Sequence, residues 1–375
     1  MKILLQTILA ILIFTGCSQT NQNIQNKTPI KNSSSYKNKT TKSVQIEKSS
    51  FFGLRNLYEN QNRTKTGSVE EIAIIFPSYT IGKYALEATN SISTYLINKD
   101  NKFKLTTYDI IIQNKRNILN VIQKLKNDNV KKVIAMITKE ELIHFKNISG
   151  IENIKFYFPL INKYDLLNNS QFDNFDFTFG AISYKDQYKK LIKFSNGRKL
   201  VEFYGNSSIG NTLHRFLENE KIIYAKKIDD NNGRYNSFLK NNRRLDNSVV
   251  ILNTPIVKSS ILLSAINAEE LAISSIVSTQ LNYTPLLFSL TQKNDRKKLV
   301  IANSIGMIPD ELEEYNTLIG NNLSYSWVNY ATIIGVEYLL NDNIDIFEDL
   351  SLQDNQVIYP VKLYRVGNYS FRRIE

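Results

Sequence analysis

Hydrophobic patterning changes character near Glu70. Before it, Ile3 to Phe14 is an almost unbroken apolar run, and Ser18 to Ser68 is mostly Asn, Gln, Lys, Ser and Thr. After it, short apolar runs alternate with segments of helical spacing. Glu71-Ile72-Ala73-Ile74-Ile75-Phe76-Pro77 is a continuous apolar run closed by a breaker, which predicts a strand buried on both faces. Past Ser78-Tyr79-Thr80, apolar residues at Ile81, Ala85, Ala88, Ile92 and Leu96 predict a helix with one buried face. Phe103 to Asp109 reads as a strand, Arg116 to Asn127 as an amphipathic helix, and Val130 to Ile137 as a third strand. Thr138 stands where a helix N-cap belongs, with Glu141 three places on as in a capping box. Strands follow at Lys155 to Pro159 and Phe175 to Gly180.

The pattern restarts after a helix from Tyr184 to Phe194. Lys199 to Tyr204 predicts a strand, Ser207 to Leu217 a helix, and Lys221 to Ile228 and Asn247 to Asn253 two more strands. Val257 to Ala268 predicts a charge-poor apolar helix. Further strands are expected at Pro285 to Ser289 and Leu299 to Ala302, and a long helix near Ser324 to Leu340. Such alternation implies mainly parallel sheets with right-handed crossovers. Two α/β units in series predict a two-lobed α/β body over 69–375. Lobe 1 is expected at about 69–182 and lobe 2 at about 199–298, with later segments crossing back between them. No repeat of 20–50 residues stands out in the sequence.

The first sixteen residues read as a secretory signal. Met1-Lys2 is a basic start, and the apolar run is shorter than the ~20 residues that span a bilayer. It ends Phe14-Thr15-Gly16-Cys17, and Cys17 is the single Cys of the chain. This resembles the lipobox of bacterial lipoproteins, with Phe14 where Leu is usual; the competing reading is an uncleaved apolar anchor. The lipobox implies a mature chain starting at an acylated Cys17, held to a membrane by two or three acyl chains. Ser18, in place of Asp, implies the periplasmic side of the outer membrane. Residues 17–68 cannot bury enough apolar surface to offset their ordering entropy, so they read as a flexible basic tether.

Charge follows this division. Nine Lys and Arg in 17–68 face only Glu47 and Glu59, a net +7 of the chain's +12; Lys2 adds one, leaving +4 for the rest. A nucleic-acid partner is therefore not needed to explain the basic balance. The tether reads as a solvated spacer or as a segment drawn to anionic lipid heads or cell-wall carboxylates. One Cys and two His, His144 and His214, exclude a disulfide framework and a Cys-rich zinc site, and no metal or other cofactor is expected. No Gly-x-Ser-x-Gly elbow, Walker loop, HExxH or GxGxxG is present. Both His residues read as helix-surface or satisfied-core groups, and neighbouring acids such as Glu269-Glu270 as solvated faces. The chain reads as a non-enzyme.

The chemistry on offer is a set of polar residues at predicted strand carboxyl ends, where ligands of open α/β sheets bind. These candidates are Ser78, Tyr79, Thr80, Thr138, Asn162 and Tyr164 in the first unit. Asn206, Ser207, Asn253 and Thr254 are their counterparts in the second. The competing reading is ordinary turn and capping residues.

On Ile72 to Pro77 with Gly82, the strand ending at Thr138, Phe203-Tyr204-Gly205-Asn206, the late helix Ser324 to Leu340 and the closing Pro360 to Val366 with Phe371, the chain resembles the type I periplasmic-binding-protein fold. That resemblance implies two lobes, each a mainly parallel sheet flanked by helices, closing on a small polar ligand. Hinges are implied near Ile182–Ser183 and Leu299–Ser304. The amino-acid grip of its transport members is loosely matched by Ser78, Thr80 and Thr138. With its lipid anchor and long tether, the chain also resembles the penicillin-binding-protein activator lipoproteins. This implies a regulator or scaffold with an envelope protein partner, the alternative being a receptor for a solute such as an amino acid.

Overall fold

A computed structural model describes residues 69–375 except 100–101, 113, 146–147, 168 and 230–234. The expected signal peptide (1–16), Cys17 and the expected tether (17–68) lie outside the described residues. The chain opens with β1 (Glu70–Phe76), α1 (Ser78–Asn98), β2 (Phe103–Asp109), α2 (Lys115–Asn127), β3 (Lys132–Ala135), the short α3 (Lys139–Leu142), β4 (Lys155–Phe158) and β5 (Phe177–Phe179). These five strands are parallel, in the order β2-β1-β3-β4-β5.

Four consecutive buried residues in β1 are explained by helices on both faces. Ile72 and Ile74 enter one core with Ala88, Ile92 and Leu96 of α1, while Ala73 and Ile75 enter another with Ile118, Val121 and Ile122 of α2. The second core is unusually aromatic: Phe145 meets Phe156, Phe158 and Phe177 edge-on at 5.6–6.1 Å, geometry that suits the ring quadrupoles.

A second sheet follows, with α4 (Tyr184–Ser195), β6 (Leu200–Gly205), α5 (Ser208–Phe216), β7 (Ile222–Ile228), α6 (Asn236–Leu239), β8 (Val249–Asn253), α7 (Ile256–Ala268), β9 (Ser275–Ser278), α8 (Leu286–Leu290), α9 (Lys293–Arg296) and β10 (Leu299–Asn303). The chain then returns to the first sheet through α10 (Asp310–Leu318) and α11 (Trp327–Asn341). Both pack on α1, and α11 also covers β3 and β4. The hairpin β11 (Ser351–Gln353) and β12 (Gln356–Ile358) joins β5. Finally β13 (Lys362–Val366) runs antiparallel to β10, and β14 (Phe371–Arg373) pairs with β13. The second sheet thus reads β14-β13-β10-β9-β8-β6-β7.

Two sheets of mainly parallel strands, each flanked by helices, form the two-lobed α/β architecture expected from the pattern. The chain passes between them at 180–183, 304–309 and 359–361. One element differs from expectation. Pro285 to Ser289 is not a strand: Leu286–Leu290 is α8, preceded by Pro285, and the strand that fills the sheet is Ser275–Ser278. A five-residue apolar run has no period long enough to separate helix from strand, and a Pro whose N–H is not needed starts a helix readily.

Candidate functional site

Polar residues do gather at the strand carboxyl ends, but most of them are bonded within the chain. After β1, Pro77 leads into α1, whose first-turn N–H groups would suit an anion. Ser78 N donates to Asp109 Oδ1 at 3.0 Å, Tyr79 N to the Ile111 carbonyl at 3.1 Å, and Thr80 and Ile81 N to the Pro77 carbonyl. Asp109 also accepts Ile111 N at 2.6 Å, holding that residue at φ 67°. The carboxylate of β2 therefore occupies the helix start. The side chains of Ser78, Tyr79 and Thr80 are exposed, Tyr79 at 84%.

Thr138, after β3, forms the capping box that its spacing predicts. Its N–H donates to Glu141 Oε2 at 2.5 Å and its hydroxyl to Glu140 at 2.7 Å. Glu141 is buried, and that burial pushes its carboxyl above the usual carboxylate range. Asn162, after β4, is also buried. Its Oδ1 accepts Tyr164 N at 3.0 Å and its Nδ2 donates to the Ala181 carbonyl at 3.1 Å. It clamps the first crossing between sheets, with Gln356 bonding the same Ala181 carbonyl. The Tyr164 ring is half exposed.

In the second sheet, Asn206 and Ser207 are exposed, and Ser207 Oγ caps α5 by accepting Gly210 N at 3.2 Å. Asn253 and Thr254 are fully buried. Asn253 Nδ2 donates to Glu202 Oε1 at 2.7 Å, and its Oδ1 accepts the Tyr188 hydroxyl at 2.6 Å. Glu202, in the middle of β6, meets His214 Nδ1 of α5 at 2.6 Å, and His214 stacks on Tyr204 with centroids 4.0 Å apart. Thr254 Oγ1 pairs with Ser259 Oγ at 2.7 Å.

Some polar capacity at this end remains open. Just past β9, Thr279 Oγ1, Gln280 Nε2 and Asn282 Oδ1 are buried and have no hydrogen-bond partner among the described residues. Gln280 is held by Gln187 of α4, whose amide also donates to Ser304 at 2.8 Å. The apolar pattern, which predicts the strand at Pro285 to Ser289 and not at Ser275–Ser278, points to none of Thr279, Gln280 and Asn282. Glu202 was visible as an acid inside Leu200-Val201-Glu202-Phe203-Tyr204, a mismatch that asks for a buried partner.

The lobes are tied together beside the crossings. Lys185 of α4 pairs with Asp165 at 2.7 Å, and Lys362 of β13 with Asp349. Tyr325, ahead of α11, packs on Tyr283 at 5.4 Å, and Tyr283 on Phe371 at 4.4 Å.

No protein-family model matches the sequence, and no curated protein sequence does either. Solved structures do match the fold. One from Rhodospirillum rubrum, assigned to a branched-chain amino acid ABC transporter, superposes with a TM-score of 0.62 at 11% identity, over 82% of this chain and 100% of its own. LivJ from Streptococcus pneumoniae, a branched-chain amino acid transporter substrate-binding protein solved with isoleucine, gives 0.55 at 10% identity, over 82% of this chain and 99% of its own. Haemophilus influenzae LpoA gives 0.55 at 9% identity, covering 84% of this chain and 60% of LpoA. The chain has the two-lobed type I periplasmic-binding-protein fold. At such identities the likeness carries the fold and not the ligand. Among the described residues, no helix is long and apolar enough to cross a membrane.

Proposed function

We propose that this is a non-catalytic envelope lipoprotein, anchored at Cys17 on the periplasmic side of the outer membrane. Its binding-protein-like body acts as a regulator or scaffold for a protein partner in cell-wall synthesis. One observation carries the reading: Asp109 and Glu141 place the protein's own carboxyl groups on the backbone donors at the ends of β1 and β3. An amino acid's carboxylate would need such donors, and a second carboxylate brought to Ser78 N or Thr138 N meets another carboxyl group on a donor already bonded.

The fold likeness to LpoA and the sequence resemblance to the activator lipoproteins agree with this. So does the expected tether: read as a flexible coil, the 52 residues 17–68 would have a root-mean-square span of about 40 Å. That reach suits an anchored protein seeking a partner. A second reading, a solute receptor, is favoured by the open polar atoms of Thr279, Gln280 and Asn282.

Calorimetry of the body against amino-acid and peptide libraries, with crosslinking in intact cells, separates the two. Silence in calorimetry and recovery of a wall-synthesis protein supports the scaffold; a tight amino-acid isotherm with recovery of only a permease defeats it. Mass spectrometry of the mature N-terminus tests the anchor, and an unmodified Cys17 removes it.

A further inference from the structure

The second sheet ends at β7. Strands β8 and β10 are buried at every position, whereas β7 is exposed at Ile223 and from Ala225 to Lys227. Its pairing with β6 slips at the start, where Leu200 faces Ile222 and Val201 faces Tyr224, leaving Ile223 as a bulge. From Tyr224 to Ile228 the register is unbroken. Half of the N–H and C=O groups in that stretch point away from β6, as at any sheet edge. Among the described residues, no backbone group outside the sheet bonds to them.

The edge is basic on both faces. The Arg244 guanidinium lies 5.2 Å from the Tyr224 ring centroid, and Lys226 Nζ lies 5.8 Å from that of Phe238. Phe238 packs on the buried Phe203 of β6 at 5.4 Å, so these two cations rest on rings rooted in the core. Lys227 stands opposite Tyr204 in the register and therefore faces the other side. None of Lys226, Lys227 and Arg244 has a carboxylate within ion-pair distance among the described residues.

Lysines on an edge strand commonly block unwanted pairing. The block is selective: it repels basic strands, penalises apolar ones, and sets a second copy of β7 against its own charges. An acidic strand meets no such barrier. We infer that β7 accepts an extended acidic segment of a protein partner as an added strand. Main-chain bonds to Tyr224–Ile228 supply affinity, and Lys226, Lys227 and Arg244 select alternating acidic side chains. β7 is then the docking edge of the scaffold proposed above, and depends on that proposal for the partner's existence.

The test uses the full chain and three labelled peptides: alternating Glu and Thr, alternating Lys and Thr, and the Glu/Thr peptide N-methylated at alternate amides. The Glu/Thr peptide should bind at low salt at least about tenfold more tightly than the Lys/Thr peptide, and weaken as salt rises. It should lose about tenfold in a Lys226→Glu/Arg244→Glu chain, whose circular dichroism checks the fold. N-methylation should abolish binding, because it keeps the charge and removes the strand. A photo-crosslinker replacing Ile223 should capture the Glu/Thr peptide, and one replacing Tyr84 should not. No binding by the Glu/Thr peptide, equal binding by its N-methylated form, or indifference to the charge reversal would each overturn the inference. If such a failure accompanies recovery of a wall-synthesis protein in cells, the scaffold stands and docks elsewhere. A tight amino-acid isotherm instead removes the scaffold, whatever the peptides do.

Discussion

Asp109, the last residue of β2, accepts the backbone N–H of Ser78 in the first turn of α1 at 3.0 Å. It is an N-cap supplied from 31 residues away, standing in for the Ser or Asp that Pro77 cannot replace. Asp109→Ala should cost about 1 kcal/mol in urea unfolding, and Asp109→Asn, which keeps the acceptor, only a fraction of that. Hydrogen exchange gives the local reading: the Ser78 amide should exchange faster in the Ala variant alone. An unchanged Ser78 rate would mean that the helix start is held by something else.

Glu202 joins two helices to the sheet, since His214 of α5 and, through Asn253, Tyr188 of α4 all depend on it. Its removal strands a buried amide and an imidazole. Glu202→Ala should therefore cost about 3 kcal/mol, against about 1–2 for His214→Ala, which leaves Asn253 paired. The double variant should cost clearly less than the two losses added, because both act on one network. Simple additivity in a denaturant-unfolding cycle would show that the two side chains do not depend on each other.

Much of the fold is legible in the chain because burial on both faces writes itself as unbroken apolar runs. Ile72–Ile75 and Val249–Leu252 show this in β1 and β8. The capping box at Thr138 is equally local. What the chain hides is non-local. Nothing near Ser78 announces that Asp109 will cap its helix, and nothing near Asn253 announces Glu202. β9 is four residues long and is flanked by polar Ser274 and Thr279, so it presents no run to read. The candidate site suffers most. Strand ends were identifiable as positions, but whether their polar groups face a ligand or one another is decided by which distant acids fold against them.

Glu337 of α11 is 2% exposed, where its carboxylate accepts the Tyr95 hydroxyl and lies 3.7 Å from Lys99. Burial holds its carboxyl above the usual range, with the nearby charge of Asp345 adding to the rise and a bond from Asn341 opposing it. A raised folded value means that the unfolded chain loses this proton first as pH climbs, so stability falls with pH from the ordinary Glu value of about 4.3 upward. Glu337→Gln keeps an acceptor for Tyr95 and cannot ionise. It should be more stable than the parent at pH 7, with the gap closing as pH is lowered through the carboxylate range. Unfolding midpoints taken from pH 4 to 7 check the sign; a gap that widens toward acid would reverse the assignment.

Gly335 of α11 faces the ring of Tyr157, a fully buried residue of β4, and a Cβ there would intrude on Tyr157 Cδ1. Gly180 confines the same ring, since its Cβ would meet the Tyr157 hydroxyl. The buried ring fills the space beside both glycines, so Gly335→Ala presses on its Cδ1, Cε1 and Cγ and not on the free end of a flexible side chain. It should cost about 1–3 kcal/mol by overpacking, even though Ala is the better helix former by about 1 kcal/mol. In a Tyr157→Ala background the clash is gone and only the helix preference remains, so the same substitution should become neutral or stabilising. Urea unfolding of the four proteins yields the coupling directly. A Gly335→Ala loss that persists undiminished without the Tyr157 ring would place the strain in the α11 backbone and not in its fit against β4.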